Sequence, residues 1–106
     1  MEFVDQAFLA KLRGDRHEEA KLVREAFNLE RTAAEEVTND YGLEPTRSVL
    51  FRSAASLAMN CGELREAERL IALGIAGNPP TDVADELRDL LEEVYFAMHV
   101  SLRGLK

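Results

Sequence analysis

Arg52, Ser56 and Asn60 recur every four residues, so on a helix they share one polar stripe. A guanidinium is a fork-shaped donor suited to a carboxylate, and a carboxamide one or two turns away can both donate and accept. Val49 and Met59 flank the stripe with apolar surface. Together these side chains could hold a peptide. A second set, Asp85, Asp89, Glu92 and Glu93, places carboxylates along the solvent side of an amphipathic segment, an acidic face able to steer a basic partner. Acid–base catalysis by these carboxylates would need a shared substrate pocket, which their spacing does not supply.

The remaining reactive residues are isolated. His17 and His99 have no His-x-x-x-His or Cys-x-x-Cys companion, so no metal and no cofactor is expected. Cys61 stands alone on the apolar side of a segment rich in small residues, where a packing thiol is expected and no internal disulfide can form. There is no glycine-rich phosphate loop and no nucleophile elbow. An enzyme is not expected.

The elements that would position these groups are helical. Hydrophobic residues make up 46% of the 106 residues, enough for one all-α domain spanning 1–106. Apolar residues recur at threes and fours, and period-two alternation is absent, so five helices are predicted at about 2–13, 16–40, 45–61, 63–76 and 79–100. Gly14 provides a left-handed stop, and Asp15 with Glu18 reads as a capping box opening the second helix. Gly42 ends that helix in this reading, and Pro45 opens the third. Gly62 turns the chain between the third and fourth helices. Asn78-Pro79-Pro80-Thr81 is the sharpest break, with either Asn78 or Thr81 as cap of the fifth. Short connections make neighbouring helices antiparallel.

The stretch from 48 to 80 resembles a tetratricopeptide repeat, a 34-residue helix-turn-helix. Phe51 stands at the early bulky position, and Ala54 and Ala55 take the place of the usual Leu-Gly pair. Ala58 occupies a site that is usually aromatic. Gly62 is the turn, Leu64 stands where Tyr is common, Ala67 is the small crossing residue, Gly74 replaces the usual Ala, and Pro79 closes the unit. The first hairpin is similar to the repeat more distantly, through Gly14-Asp15 and Glu19-Ala20. It resembles the three-helix microtubule-interacting-and-trafficking hairpins about as closely. The resemblance implies that the polar stripe of the third helix lines a concave groove, where some members hold a terminal carboxylate with a basic residue and an Asn. Arg52 takes the place of that basic residue, and Ser56 stands where the Asn would be.

The expected function is therefore a non-catalytic module that presents a groove to a protein or peptide partner. The alternative is a homo-oligomeric structural or regulatory protein, for instance a homodimer or the acidic neutralising partner of an operon-encoded protein. A net charge of −7 argues against a nucleic-acid partner, since phosphate binding needs clustered Lys and Arg. No apolar run approaches the ~20 residues of a membrane span, and the acidic start lacks a secretory pattern, so no membrane partner and a cytoplasmic setting are expected.

Overall fold

Gly14 adopts φ of 76°, a left-handed conformation that a side chain would strain, and directly behind it Asp15 opens a helix. The computed structural model describes residues 5–7, 9 and 14–102. Its four bounded helices are α1 (Arg16–Glu36), α2 (Thr46–Asn60), α3 (Leu64–Ala76) and α4 (Thr81–Leu102). Residues 5–7 and 9 are helical too, and Ala7 packs against Leu22 and Val23 of α1. The rest of the helix expected at 2–13 lies outside the described residues. The fold is all-α, with successive helices antiparallel and no strand among the described residues.

Each helix end has a local cause. Asp15 Oδ1 accepts the Glu18 backbone N–H at 2.9 Å, and Glu18 and Glu19 place negative charge in the first turn of α1, against the positive end of its dipole. α1 then stops at Glu36, short of the expected 40. The Val37 and Thr38 N–H groups donate to carbonyls three residues back, Ala34 at 3.1 Å and Glu35 at 3.3 Å. Thr38 Oγ1 donates to Glu35 O at 3.0 Å, which completes a tightened final turn. Gly42 thus lies in the connecting turns and does not end the helix.

α2 starts at Thr46, with Pro45 in the capping position, and finishes in a six-residue reverse turn. The Glu63 N–H donates to Ala58 O at 2.8 Å and the Gly62 N–H to Met59 O at 3.0 Å. That pair of bonds requires a left-handed residue, and Gly62 supplies it at φ 76°. α4 begins after both prolines of the Pro79-Pro80 break. Its first bond runs from the Ala84 N–H to Pro80 O at 2.9 Å, so the chain enters through Pro80 instead of a side-chain cap from Asn78 or Thr81.

α2 is the hub, packing against α1, α3 and α4. Small residues make this possible. Ala54, Ala55 and Ala58 of α2 and Ala67 of α3 are completely buried, so three neighbours approach one helix without large side chains between the backbones. Phe27, Phe51, Leu70, Ile71, Leu87 and Val94 fill the spaces left. Each fully buried side chain of this size contributes roughly 1.5–3 kcal/mol. Gly74 marks the closest crossing, where an added β-carbon would lie 3.0 Å from Phe51 Cβ and 3.1 Å from a Leu87 methyl.

Three polar contacts between distant parts of the chain share one offset. Arg69 of α3 meets Glu35 of α1, Asn78 meets Glu44 in the preceding turn, and Glu86 of α4 meets Arg52 of α2, each pair 34 residues apart. A fourth, between Arg24 of α1 and Glu63 at 3.1 Å, spans 39 residues, so the shared offset belongs to these three contacts and not to every link between the halves.

Candidate functional site

α2 and α4 run in the same direction, because each is antiparallel to α3, and they diverge enough to leave an open groove of about 1090 Å³. α2 contributes Arg52, Ser53, Ser56 and Leu57, and α1 contributes Glu30. The α4 wall carries Glu86, Asp89, Leu90, Glu92, Glu93 and Phe96. Those six positions fall at spacings of three and four, so one face of α4 serves the groove over about 15 Å. Leu57 and Leu90 are half-buried at its floor, while Phe96 stands 69% exposed at its rim.

Two surfaces that look separate along the chain meet here. Arg52 and Ser56 of the polar stripe face Asp89, Glu92 and Glu93 of the acidic helix across one trough. The other members of the stripe are elsewhere. Val49 and Met59 are half-buried and pack against the core, Asn60 is exposed and lines no part of the groove, and Asp85 is exposed beside Arg88 at 3.4 Å. Glu30, Ser53, Leu57, Glu86, Leu90 and Phe96 are the other described residues of the lining. Of these, Glu30 left a mark in the sequence, as the charged residue that interrupts the apolar period of α1.

Arg52 does not stand ready for a carboxylate from outside. Its Nη1 donates to both Glu86 oxygens, at 3.0 Å each. The clamp implied by the family resemblance is therefore satisfied internally, across α2 and α4. Glu30, Asp89, Glu92 and Glu93 have no ion-pair partner among the described residues. Partial burial pushes the Glu30 carboxyl above its ordinary range.

A second polar cluster lies where the α1–α2 and α3–α4 connections meet. Arg47 is completely buried although it is charged. Its Nε donates to Thr38 O at 2.9 Å, and its guanidinium lies 4.7 Å from the Tyr41 ring centre and 5.0 Å from that of Phe51. Nη1 and Nη2 have no hydrogen-bond partner among the described residues. Gly77 makes the space, because a β-carbon there would overlap Nη1. Glu44 bridges the two connections, accepting the Ser48 N–H at 3.0 Å and the Asn78 N–H at 3.1 Å. Desolvation alone would raise the Glu44 carboxyl. The bonds from Ser48 and Asn78 and the charge of Arg47 outweigh it and hold the group below its ordinary range. This cluster fixes the turns and does not line the groove between α2 and α4. The sequence signal for it is spacing: Arg47 precedes Phe51, Ala54 and Ala58 by four, seven and eleven residues, which puts it on the buried side of α2.

His17, His99 and Cys61 do not line the groove. His17 and His99 are exposed, and no group of His, Cys, Asp or Glu able to hold a metal ion occurs among the described residues. Cys61 is only half-buried at the end of α2. Burial raises its thiol pKa, Arg24 lowers it and Glu63 raises it, with a net rise that disfavours the thiolate. Tyr95 is half-exposed and turned to Glu68 of α3, whose carboxylate holds its hydroxyl proton on. No helix among the described residues is long and apolar enough to cross a membrane. Comparison of the chain with family models, curated proteins and solved structures finds no match.

Proposed function

We propose that this protein is a non-catalytic interaction module that receives a peptide segment of a protein partner in the groove between α2 and α4. The observation that carries the reading is the trough itself, an apolar floor of Leu57 and Leu90 with polar walls drawn from three helices. Concave surfaces of that composition bury a ligand's apolar groups while a few polar groups set its orientation. The constant offset of 34 residues between Glu35 and Arg69, Glu44 and Asn78, and Arg52 and Glu86 supports a tetratricopeptide-like arrangement. In such an array α2 and α4 are equivalent helices and share one concave face. The reading keeps the cytoplasmic setting expected from the sequence.

The test is a selection of random 16-residue peptides displayed on phage against the immobilised protein, followed by amide shift mapping of the enriched peptides. Shifts are expected at Ser53, Ser56, Leu57, Leu90 and Glu93. Shifts confined to the outer faces of α1 and α3 would remove the groove from consideration.

A homo-oligomer is the second reading, favoured by the adjacent exposure of Tyr95 and Phe96 on α4, at 50% and 69%. Leu9 is exposed as well, whereas Met98 is half-buried and packs against the core, so it offers little to a partner. A melting temperature that rises over a hundredfold range of protein concentration would favour this reading over the monomeric groove.

A further inference from the structure

The lining of the groove narrows its occupant to one class. Among the described residues of the lining, five carboxylates (Glu30, Glu86, Asp89, Glu92, Glu93) face a single guanidinium, Arg52, for a net charge of 1 − 5 = −4. Arg52 is spent on Glu86, so among the described residues that line the groove no cation is left to attract an anionic ligand. A terminal carboxylate, an acidic peptide or a nucleic-acid phosphate would enter against four unpaired like charges and lose its hydration without compensation. A Lys or Arg side chain does the reverse, gaining a carboxylate as it leaves water. The half-buried Leu57 and Leu90 and the exposed Phe96 reward an apolar side chain on the same ligand, which bare polyamines lack.

We propose that the groove takes a cationic amphipathic segment of a partner protein, with about three Lys or Arg residues set against the α4 carboxylates and one or two apolar side chains on Leu57, Leu90 and Phe96. The proposal rests on the groove reading above and adds the sign and pattern of the ligand. Along α4 the wall spans about 15 Å, the length of roughly ten helical residues or four to five extended ones. Cations on one face of a partner helix, three or four residues apart, would match the unpaired Asp89 with Glu92 and Glu93, three and four positions further on.

Three fluorescein-labelled 16-residue peptides serve as probes, identical in their Leu positions and carrying Lys, Gln or Glu at the polar ones, with spermidine as competitor. Fluorescence anisotropy is read against the wild-type protein, Glu92→Gln/Glu93→Gln, Ser56→Trp to plug the exposed α2 wall, and Glu36→Gln/Asp40→Asn as an off-groove control of equal charge. The Lys peptide should bind and the Glu peptide should not. Its affinity should fall about tenfold in the Glu92/Glu93 variant, at roughly fivefold or less per charge, and stay within about twofold in the control. It should also weaken steeply with salt and resist spermidine. Equal binding of the Gln and Lys peptides, both lost in Ser56→Trp, would overturn the cationic inference while leaving the groove intact. Lys-peptide binding that survives Ser56→Trp and falls equally in the control would overturn the groove reading itself. Displacement by stoichiometric spermidine would show that charge alone is read and the apolar floor is idle, which also overturns the proposal.

Discussion

Arg52 Nη1 sits 3.0 Å from each oxygen of Glu86, so the only guanidinium among the described residues of the groove already ties α2 to α4. The pair is partly exposed, at 29% and 51%, and an ion pair in that setting contributes at most about 1 kcal/mol. Arg52→Ala should therefore lower stability by no more than about 1 kcal/mol. It also leaves Glu86 unpaired and makes the groove one charge more negative. Binding of the Lys peptide should strengthen about two- to fivefold. Loss of binding in this variant, measured beside its urea midpoint, would restore Arg52 as a direct ligand contact.

Gly74→Ala sets helix propensity against packing. Alanine gains about 1 kcal/mol over glycine inside a helix. The new methyl would lie 3.0 Å from Phe51 Cβ, an atom fixed to the α2 backbone, so the helices themselves must part. Overpacking of this kind costs about 1–3 kcal/mol, and a net destabilisation of roughly 1 kcal/mol is expected. A raised midpoint in urea unfolding would show that α2 and α3 separate at little cost.

Glu44 makes stability depend on acid. Its carboxyl is held below the ordinary 4.5 despite desolvation, because Ser48, Asn78 and Arg47 favour the ionised form. The stabilisation is complete above the unfolded value and disappears as the pH drops through the folded one. Glu44→Gln should cost about 1 kcal/mol at pH 7, after allowance for partial exposure, and progressively less as the pH is lowered below 4.5. Urea midpoints at pH 7, 4 and 3 test this, and a deficit constant across the three would disprove the linkage.

Glu30 carries the opposite sign. Desolvation raises its carboxyl, so the ionised form is disfavoured in the folded protein and stability falls as the pH rises from the unfolded to the folded value. Glu30→Gln should raise the urea midpoint slightly at pH 7, with the gain vanishing in acid. The same variant should weaken capture of the Lys peptide. A gain in stability without any change in binding would place Glu30 outside the ligand's reach.

The helices are legible in the sequence because their causes are local. Asp15 caps over three residues, Gly62 turns over five, and Ala54, Ala58 and Ala67 announce a close crossing by size alone. The end of α1 is hidden because Ala34 and Val37 continue the apolar period while Thr38 bonds back to Glu35 and breaks it. The groove is half legible. Arg52 and Ser56 declare themselves by spacing, yet their facing residues come from α4, and no local pattern says that Glu86 will reach across to Arg52. Arg47 shows the same limit: periodicity puts it inside, but the room that admits it is the missing side chain of Gly77, thirty residues further on.

The shared offset of Glu35–Arg69, Glu44–Asn78 and Arg52–Glu86 bears on how this chain can change length. Every residue from 53 to 68 lies inside all three spans, so inserting or deleting a single residue there puts the three links out of step together. Duplicating the whole stretch 45–78 leaves each link a counterpart at its proper distance and lays a further helix pair beside the first. Growth by a whole unit thus keeps the three links where growth by one residue does not, although the new junction would set Arg52 opposite a second Arg52 and add none of the α4 carboxylates.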